Sequence, residues 1–437
     1  MKLENFKRAK GYLDFIQGAN IILKNTLEEF FSASVRLQMT PLDGIKFYKI
    51  DITANPNRNV YILSEDKVLL LSTYIRDNVR YYLGIEITAK KIGKITYTKI
   101  FNYTANAISN ALTESYSSRF KKSVILLNEN LIIRIIAKYV SSGHYNPYKV
   151  YFLIEQFTAL RNTTFEGKYF TTGLIVTKSM YRYGKYPKEK GNLLTLQTTK
   201  SIYAPIAHRF WYLADGYTSF YMSNYKSDIT QMLILNENSN NYIDKILLKN
   251  ILQGGDFLVR VHNGREISII TSDGIEFLYQ ENTWRFRDYN WIKNMINSEI
   301  EMNNSVYDAV MFHVLNCSKS DTSSIIWIPQ NDKTSEIDRL VKTKHSLVKQ
   351  KFYIQDAENE NLISRLLSSN GATVINNKGE VRYFGCIIDL KKVDTSAVKG
   401  TGETAAALLA QNGLAFKISQ DGIIKLFLNE KSKVIKF

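Results

Sequence analysis

Residues 369–429 decide how the C-terminal part of the chain folds, and they read SNGATVINNKGEVRYFGCIIDLKKVDTSAVKGTGETAAALLAQNGLAFKISQDGIIKLFLN. Apolar and polar residues alternate in four short runs, which is the pattern of strands with one buried face. The runs form two predicted hairpins, Ala372–Asn376 with Glu380–Asp389, and Leu414–Ser419 with Ile423–Leu428. Glycine-containing turns at Asn377-Lys378-Gly379 and Asp421-Gly422 connect their strands. Between the hairpins, the segment Gly400-Thr401-Gly402-Glu403-Thr404 begins an alanine-rich predicted helix.

The glycine segment at 400–404 supports two interpretations. In the first it binds an anion, because glycines let the backbone approach a ligand and the helix directs free N–H groups toward it. In the second it is only a capped helix start, with Thr401 as the N-cap residue. Glu403 favours the second interpretation, since a carboxylate in the first turn satisfies the helix dipole and repels a phosphate. The segment by itself leaves both interpretations open.

The order of these elements resembles the nucleotide-binding domain of the diadenylate cyclases, the family of the DNA-integrity-scanning protein. In that family an Asp-Gly-Ala turn begins one strand, Gly-Thr-Arg-His-Arg begins a helix, and a later strand ends in Ser-Glu-Glu. The corresponding segments here are Asn370-Gly371-Ala372, then Gly400 to Thr404, then Ser419-Gln420-Asp421. The resemblance covers roughly the last third of the chain.

The resemblance implies a C-terminal α/β domain at residues 284–437, with a mixed sheet flanked by helices. In the family, two such domains face each other, and each bound ATP attacks the α-phosphate of the other through its 3′-hydroxyl. A homo-oligomer, Mg²⁺ or Mn²⁺, and ATP or another NTP as substrate or ligand are therefore implied. The candidate catalytic residues are Asn370, Glu403 and Asp421, with Asp421 also the candidate metal ligand. The candidate nucleotide-binding residues are Gly371, Ala372, Lys399, Gly400, Thr401, Gly402, Thr404 and Ser419.

This chain departs from the family at positions that carry its chemistry. Asn370 keeps a carbonyl oxygen but lacks the charge of the family's aspartate, so it is a poorer ligand for a hard cation. Gly402, Glu403 and Thr404 replace Arg-His-Arg and supply no positive charge for phosphoryl transfer. Replacement groups are available nearby. The candidate cations are Lys391, Lys392 and Lys399, and the candidate metal ligands are Asp389, Asp394, Glu403 and Asp421.

The first 283 residues are predicted to form an α+β sensor or regulatory region, long enough for two subdomains. Helices are predicted at Ile21–Leu37 and Ala105–Ser115. Strands are predicted at Ile45–Ile50, Val60–Leu63, Val68–Leu71, Tyr81–Ile87, Ile95–Ile100, Asp256–Val261, Glu266–Thr271 and Ile275–Tyr279. The junction at Trp284-Arg285-Phe286-Arg287-Asp288 resembles the one that precedes diverged diadenylate-cyclase domains in proteins with a sensor region. Asp288 is predicted to cap the helix that follows.

Composition restricts the class of protein further. The chain carries 57 Lys and Arg against 41 Asp and Glu, a net charge of +16, which suits polyanionic partners or reflects a biased genome. Only two cysteines, Cys317 and Cys386, are present, as expected of a protein in a reducing cytoplasm. No secretory signal, membrane span, zinc pattern or P-loop is recognisable, so a cytoplasmic location without a membrane span is expected.

Three functions are therefore compared. The leading hypothesis is a second-messenger synthase, a diverged nucleotidyltransferase that condenses ATP or another NTP into a cyclic dinucleotide under control of the N-terminal region. The second is a catalytically inactive nucleotide-binding sensor. The third is a nucleic-acid-binding protein, which would use the basic segment that carries Tyr181, Tyr183 and Tyr186 to stack on bases. A solvated loop with the same residues is the simpler interpretation of that segment.

Overall fold

The structure of the protein is a computed structural model. It describes residues 20–41, 58–64, 66–76, 79–88, 95–117, 129–141, 145–184, 191–203, 206–224, 227–236, 242, 247–248, 250–320, 322–331, 333–346, 350–390, 400–429 and 433–436. The predicted strand Ile45–Ile50 lies outside these ranges, and so do five residues singled out from the sequence: Tyr186, Lys391, Lys392, Asp394 and Lys399.

The N-terminal region begins with helix α1, residues 20–31, and a small sheet. The strands of this sheet are β1 (Ser34–Pro41), β2 (Val60–Ser64), β3 (Lys67–Arg76) and β4 (Val79–Thr88). They are antiparallel and lie in the order β1-β4-β3-β2. Three helices follow: α2 (Ile95–Ser117), α3 (Glu129–Ser141) and α4 (Pro147–Arg161).

An eight-stranded sheet forms the centre of the N-terminal region. Its strands are β7 (Thr172–Val176), β8 (Gly191–Ser201), β9 (Ser219–Ser223), β10 (Asp228–Leu235), β11 (Phe257–His262), β12 (Glu266–Thr271), β13 (Ile275–Gln280) and β14 (Thr283–Asp288). Their order is β14-β13-β12-β11-β7-β9-β10-β8, and β7 and β9 are parallel. Shorter elements in this part of the chain are β5 (Thr164–Phe165), β6 (Lys168–Tyr169), α5 (Met180–Gly184) and α6 (His208–Trp211).

Strands β11 to β14 form a meander because tight turns separate runs of β-forming residues. Between β13 and β14 the turn consists of Glu281 and Asn282, with φ of 51° and 63°. Positive φ at both positions is the geometry that matches the twist of a two-residue hairpin. All six residues of both β12 and β13 are buried, so this part of the sheet is covered on its two faces.

The C-terminal region alternates helices and strands. Its elements are α7 (Tyr289–Glu299), α8 (Asn304–Ser318), β15 (Ser324–Pro329), α9 (Thr334–Leu340), β16 (Val341–His345), a 3₁₀ turn (Ala357–Asn359), α10 (Glu360–Leu367), β17 (Ala372–Ile375), β18 (Val381–Ile388), α11 (Thr401–Ala410), β19 (Gly413–Ile418), β20 (Ile424–Leu428) and β21 (Lys433–Lys436). The strands form one seven-stranded sheet in the order β16-β18-β17-β15-β19-β20-β21, in which β15 and β17 are parallel.

Helices α7 and α8 lie between the two large sheets. One buried apolar cluster joins Leu258 of β11 and Ile292 of α7 to Val310 of α8 and Phe416 of β19. The opposite face of the seven-stranded sheet packs on α9 and α11, where Trp327 is fully buried. The protein is thus a mixed α/β structure with mixed sheets flanked by helices, as predicted for the C-terminal region.

The junction between the regions has the local structure that its sequence predicts. Strand β14 contains Trp284 and Phe286, and the Asp288 side chain caps α7 by accepting a hydrogen bond from the backbone N–H of Trp291 at 3.0 Å. The strand crosses the predicted boundary between residues 283 and 284, and α7 packs on both sheets. Two separate domains at that boundary stay a prediction.

Two secondary-structure predictions are wrong. Residues 95–100 were expected to form a strand but begin the long helix α2, whose buried Ile100, Ala107 and Ile108 recur at helical spacing. The first helix was expected to extend to Leu37 but ends at residue 31, and Ser32 takes a positive φ of 48° before β1 begins. Among the helices of the described ranges, none combines the length and apolar character needed to cross a membrane.

Candidate functional site

The register of the seven-stranded sheet brings the three family-like segments to one end of the sheet. Ile325 of β15 pairs with Ala372 on one side and with Lys417 on the other. Ala372 and Lys417 therefore lie about 10 Å apart, two strand spacings. The start of helix α11 lies close to Lys417. A Cβ atom added at Gly402 would be only 2.7 Å from the Cε atom of Lys417. The segments at 370–372, 400–404 and 419–421 therefore lie around the same end of the seven-stranded sheet. This end, where the strands β17 and β15 begin, is called the sheet edge below.

Helix α11 begins at this edge with a backbone turn that requires glycine. Gly400 has φ of 91°, a conformation that other residues rarely adopt, and the carbonyl of Gly400 accepts hydrogen bonds from the backbone N–H and hydroxyl of Thr404. Thr401 is exposed and supplies no side-chain cap hydrogen bond; the N-cap residue is Gly400. The capping role predicted for Thr401 is therefore wrong, and its side chain is directed to solvent.

Glu403 forms an ion pair across the sheet edge. Its carboxylate lies 2.5 Å from the Lys425 ammonium of β20, and both side chains are about a quarter exposed, at 29% and 26%. The carboxylate in the first turn of α11 is therefore already neutralised by a protein cation. This contact removes much of the repulsion that Glu403 would otherwise exert on an anion at the helix start.

The other candidate catalytic residues are exposed turn residues. Asn370 and Gly371 precede the buried Ala372 at the start of β17. Asp421 is exposed and accepts a hydrogen bond from the backbone N–H of Ile423 at 3.2 Å, as an aspartate in an Asp-Gly turn commonly does. Ser419 lies at the end of β19, half-buried, with its backbone N–H bonded to the Ile423 carbonyl.

These residues do not fit the divalent cation that the resemblance implies. A hard cation prefers several carboxylate or carbonyl oxygens converging on one point. No group of three His, Cys, Asp or Glu side chains with that arrangement occurs in the part of the chain that the structure describes. Glu403 is paired with Lys425, and Asp389 lies 3.5 Å from the ammonium of Lys342. We therefore derive no chemical step through a metal ion.

The cations at this edge come from strands rather than from the helix. Lys417 of β19 and Lys425 of β20 are direct cross-strand partners, and Lys425 also pairs with Lys436 of β21. Directly opposed residues project from the same face of a sheet, so the three lysines form one row. The sequence analysis missed this row. Its signal was present, since Lys417 and Lys425 each interrupt an apolar run next to the Asp421-Gly422 turn.

Lys417 is the most buried member of the lysine row, at 7% exposure. Its ammonium donates to the Ser323 hydroxyl and to the Ile418 carbonyl, the latter at 2.7 Å. Burial lowers the pKa of Lys417, while the negative charges of Glu403 and Asp421 oppose that shift. Gly402 leaves room for the Lys417 side chain, which lies beside the start of helix α11.

The net charge of this edge favours an anion. Like charges on opposed strand positions repel one another, and among the described residues Glu403 is the one carboxylate in ion-pair contact with the lysine row. The first-turn N–H groups of α11 add a partial positive charge at the same place. A phosphate bound there would reduce the repulsion among the lysines while accepting hydrogen bonds from the helix start.

The basic tyrosine segment has a different structure from the one that base stacking requires. Tyr183 is 1% exposed and donates a hydrogen bond to the Asp256 carboxylate at 2.7 Å. Tyr181 is 71% exposed, on the short helix α5. The prediction that Tyr183 stacks on a base is therefore wrong, because its ring belongs to the core.

Comparisons with known proteins add partial similarities only. No protein-family model matches the chain, and no curated protein matches its sequence. A hypothetical membrane spanning protein from Bacillus cereus is 15% identical over 33% of this chain and 69% of that one, with a TM-score of 0.27. DacA from Staphylococcus aureus, in a doubly substituted form, is 14% identical over 30% of this chain and 85% of that one, with a TM-score of 0.23. At these TM-scores neither structure supports an assignment.

Proposed function

We propose that the C-terminal region binds a nucleoside triphosphate at the sheet edge formed by the segments 370–372, 400–404 and 419–421. We further propose that the protein acts there as a nucleotide second-messenger synthase. The observation that supports the proposal is the convergence of these three segments, which are distant in sequence, at one end of one sheet. Their resemblance to the diadenylate cyclases suggests that the ligand is ATP or another NTP.

In this proposal the protein holds the phosphates through charge and backbone. The N–H groups at the start of α11 donate to phosphate oxygens, and Lys425 exchanges part of its contact with Glu403 for the ligand. Lys417 contributes positive charge from within the sheet edge rather than a direct contact, since its ammonium is already bonded to two oxygens. Two copies of the domain facing each other would then bring two nucleotides together for condensation.

A nucleotide-binding sensor without turnover is the second candidate, and specific observations favour it. The position of the family's aspartate is held by exposed Asn370, and the carboxylate of Glu403 is engaged by Lys425. An edge of this kind can bind a nucleotide, but its described residues do not include the group of acidic ligands that positions a metal ion for phosphoryl transfer. Nucleic-acid binding has less support, because Tyr183 is buried.

Titration calorimetry of the full chain with ATP and GTP tests the binding step, and mass spectrometry of mixed-NTP incubations with Mn²⁺ tests turnover. We expect Lys425→Met to weaken nucleotide binding about tenfold, as loss of a charge-assisted contact does. Lys378→Met is the matched control, because Lys378 is an exposed lysine in the turn at the opposite end of β17. Glu403→Gln removes the competing carboxylate and should not weaken binding.

The outcomes separate the two candidates. A cyclic or linear dinucleotide product supports the synthase, whereas saturable binding without product supports the sensor. Absence of nucleotide binding, or equal weakening by Lys425→Met and Lys378→Met, would overturn the assignment of this edge as the nucleotide site.

A further inference from the structure

A second site lies between the two regions of the protein, and its lining does not include the lysine row. It is a cavity of about 340 Å³, enclosed by β11 to β14 on one side and by the C-terminal end of α8 on the other. Three cationic side chains line it: Arg260, Arg287 and Lys319. The volume is that of a pocket for a small molecule, and the mixture of charged and aromatic walls is typical of a specific binding site.

Arg260 is the central cation of this pocket, and it is only 2% exposed. Its Nε atom donates to the Gly216 carbonyl at 2.5 Å, and its guanidinium stacks 4.2 Å from the centre of the Tyr217 ring. Its Nη2 atom is fully buried and has no hydrogen-bond partner within the described residues. A buried guanidinium with an unused donor costs free energy unless some other group accepts that hydrogen bond.

Lys319 meets the same tyrosine from the C-terminal region. It is the C-cap residue of α8, and its ammonium donates to the Tyr217 hydroxyl at 2.8 Å. Two cations therefore converge on Tyr217. Within the described ranges, neither Arg260 nor Lys319 forms an ion pair with a carboxylate.

Three carboxylates also line the pocket, those of Glu266, Glu276 and Glu360, and the first two have identified hydrogen-bond or ion-pair partners. Glu276 is committed to Arg287 at 3.2 Å and also accepts hydrogen bonds from Tyr289 and Ser268. Glu266 is buried and accepts from the Gln280 amide at 3.1 Å. Burial raises the pKa of Glu266, and the positive charges of Lys319 and Arg287 oppose that shift.

We propose that this pocket binds a small hydroxylated molecule that carries a phosphate or carboxylate group. The anionic group accepts a hydrogen bond from Lys319 and lies beside the positive charge of Arg260. A hydroxyl of the same molecule contacts the side chain of Glu266. Glu266 lies on β12, the strand that neighbours β11 and Arg260. The cavity volume of about 340 Å³ fits a metabolite of sugar-phosphate or hydroxy-acid size.

The pocket also contacts the sheet edge at which nucleotide binding is proposed. Gln280 donates to Glu266 within the pocket, and a Cβ atom added at Gly422 would lie 2.6 Å from the Nε2 atom of Gln280. The turn that carries Asp421 therefore rests directly on a residue bonded to the pocket wall. A regulatory effect of the small anion on the nucleotide site rests on the proposed function, whereas binding of the anion does not.

Titration calorimetry of the full chain tests the pocket with three probes: inorganic phosphate, ribose 5-phosphate and malate. We expect at least one probe to bind saturably, with one site per chain, and the comparison of ribose 5-phosphate with malate identifies the anionic group. Lys319→Gln should weaken that binding about tenfold or more. Because Lys319 is half-buried at a helix end, this change should leave the fold intact.

Lys293→Gln is the matched control. Lys293 is also half-buried and also lies over a tyrosine ring, 5.2 Å from the centre of Tyr307, but it does not line the pocket. We expect this variant to bind the probe as the unaltered chain does. Failure of all three probes to bind, equal effects of Lys319→Gln and Lys293→Gln, or loss of probe binding in Lys425→Met alone would overturn the proposal. Probe binding that persists while ATP binding is absent supports the pocket and rejects the nucleotide site.

Discussion

His262 is held in a setting that opposes its protonation, and this makes the protein sensitive to acid. Its Nδ1 atom lies 2.9 Å from the Tyr217 hydroxyl, which itself accepts a hydrogen bond from Lys319. The hydroxyl therefore donates to a neutral imidazole. Burial, together with the positive charges of Lys319, Arg260 and Arg265, lowers the pKa of His262 to about 3. An imidazole in the unfolded chain has a pKa of about 6.5.

The sign follows from proton binding in the two states. Below about pH 6.5 the unfolded chain binds a proton at His262 and the folded chain does not, so the free energy of unfolding falls as the pH falls. Each pH unit in this window costs about 1.4 kcal/mol, and the loss continues until the folded-state pKa is reached. Between about pH 7.5 and about pH 5 the contribution of His262 amounts to about 2 kcal/mol.

Urea-induced unfolding at these two pH values, followed by circular dichroism, measures this contribution. His262→Gln retains an acceptor for the Tyr217 hydroxyl but cannot be protonated, so it should lose about 2 kcal/mol less than the unaltered chain on acidification. Exposed His208 supplies the control variant His208→Gln, which we expect to behave as the unaltered chain. If His262→Gln and the unaltered chain lose the same free energy, the imidazole is not held neutral by burial and the reasoning fails.

Two further changes test the packing on either side of the shared helical layer. Glu276→Gln leaves buried Arg287 without its ion-pair partner at 3.2 Å. The free energy of unfolding, measured by urea titration at neutral pH, should therefore fall by about 3 kcal/mol. An unchanged urea midpoint would contradict the importance of the buried pair. Gly413 has φ of 139°, and Gly413→Ala would place a Cβ atom against the carbonyl oxygen of Ile328. We expect the free energy of unfolding, measured by thermal unfolding, to fall by about 2 kcal/mol or more. Gly254→Ala, with no atom within 4 Å of the added Cβ, is its control, and equal effects would refute the predicted clash.

Local patterns predict most of the C-terminal elements correctly. Both hairpins of residues 369–429 form within one or two residues of prediction. These elements are short alternating runs next to glycine turns. Such a pattern lies within about ten consecutive residues, so it can be recognised from the local sequence. The same rules failed at Ile95–Ile100, where a mixed apolar run fits a helix face as well as a strand.

The candidate site was predictable only in part. The segments at 370–372, 400–404 and 419–421 were identified in advance, but their convergence depends on β15 lying between β17 and β19. The role of Lys425 was not predictable, because it depends on a register that places this residue opposite Lys417 and beside Glu403. Pairing register is specified by the packing of whole strands rather than by the residues that it brings together.

The sequence by itself determined the strand and helix order of residues 369–429, the glycine-dependent turns and the absence of arginines at the helix start. Tertiary structure alone decided which cations lie near the helix start and where a second pocket forms. Arg260 and Lys319 meet at Tyr217 only because α8 docks on the eight-stranded sheet. The physical reason is the sequence distance over which the interactions act. Turns and alternation depend on neighbouring residues, whereas the position of a charge relative to another strand or region depends on the packing of the whole core.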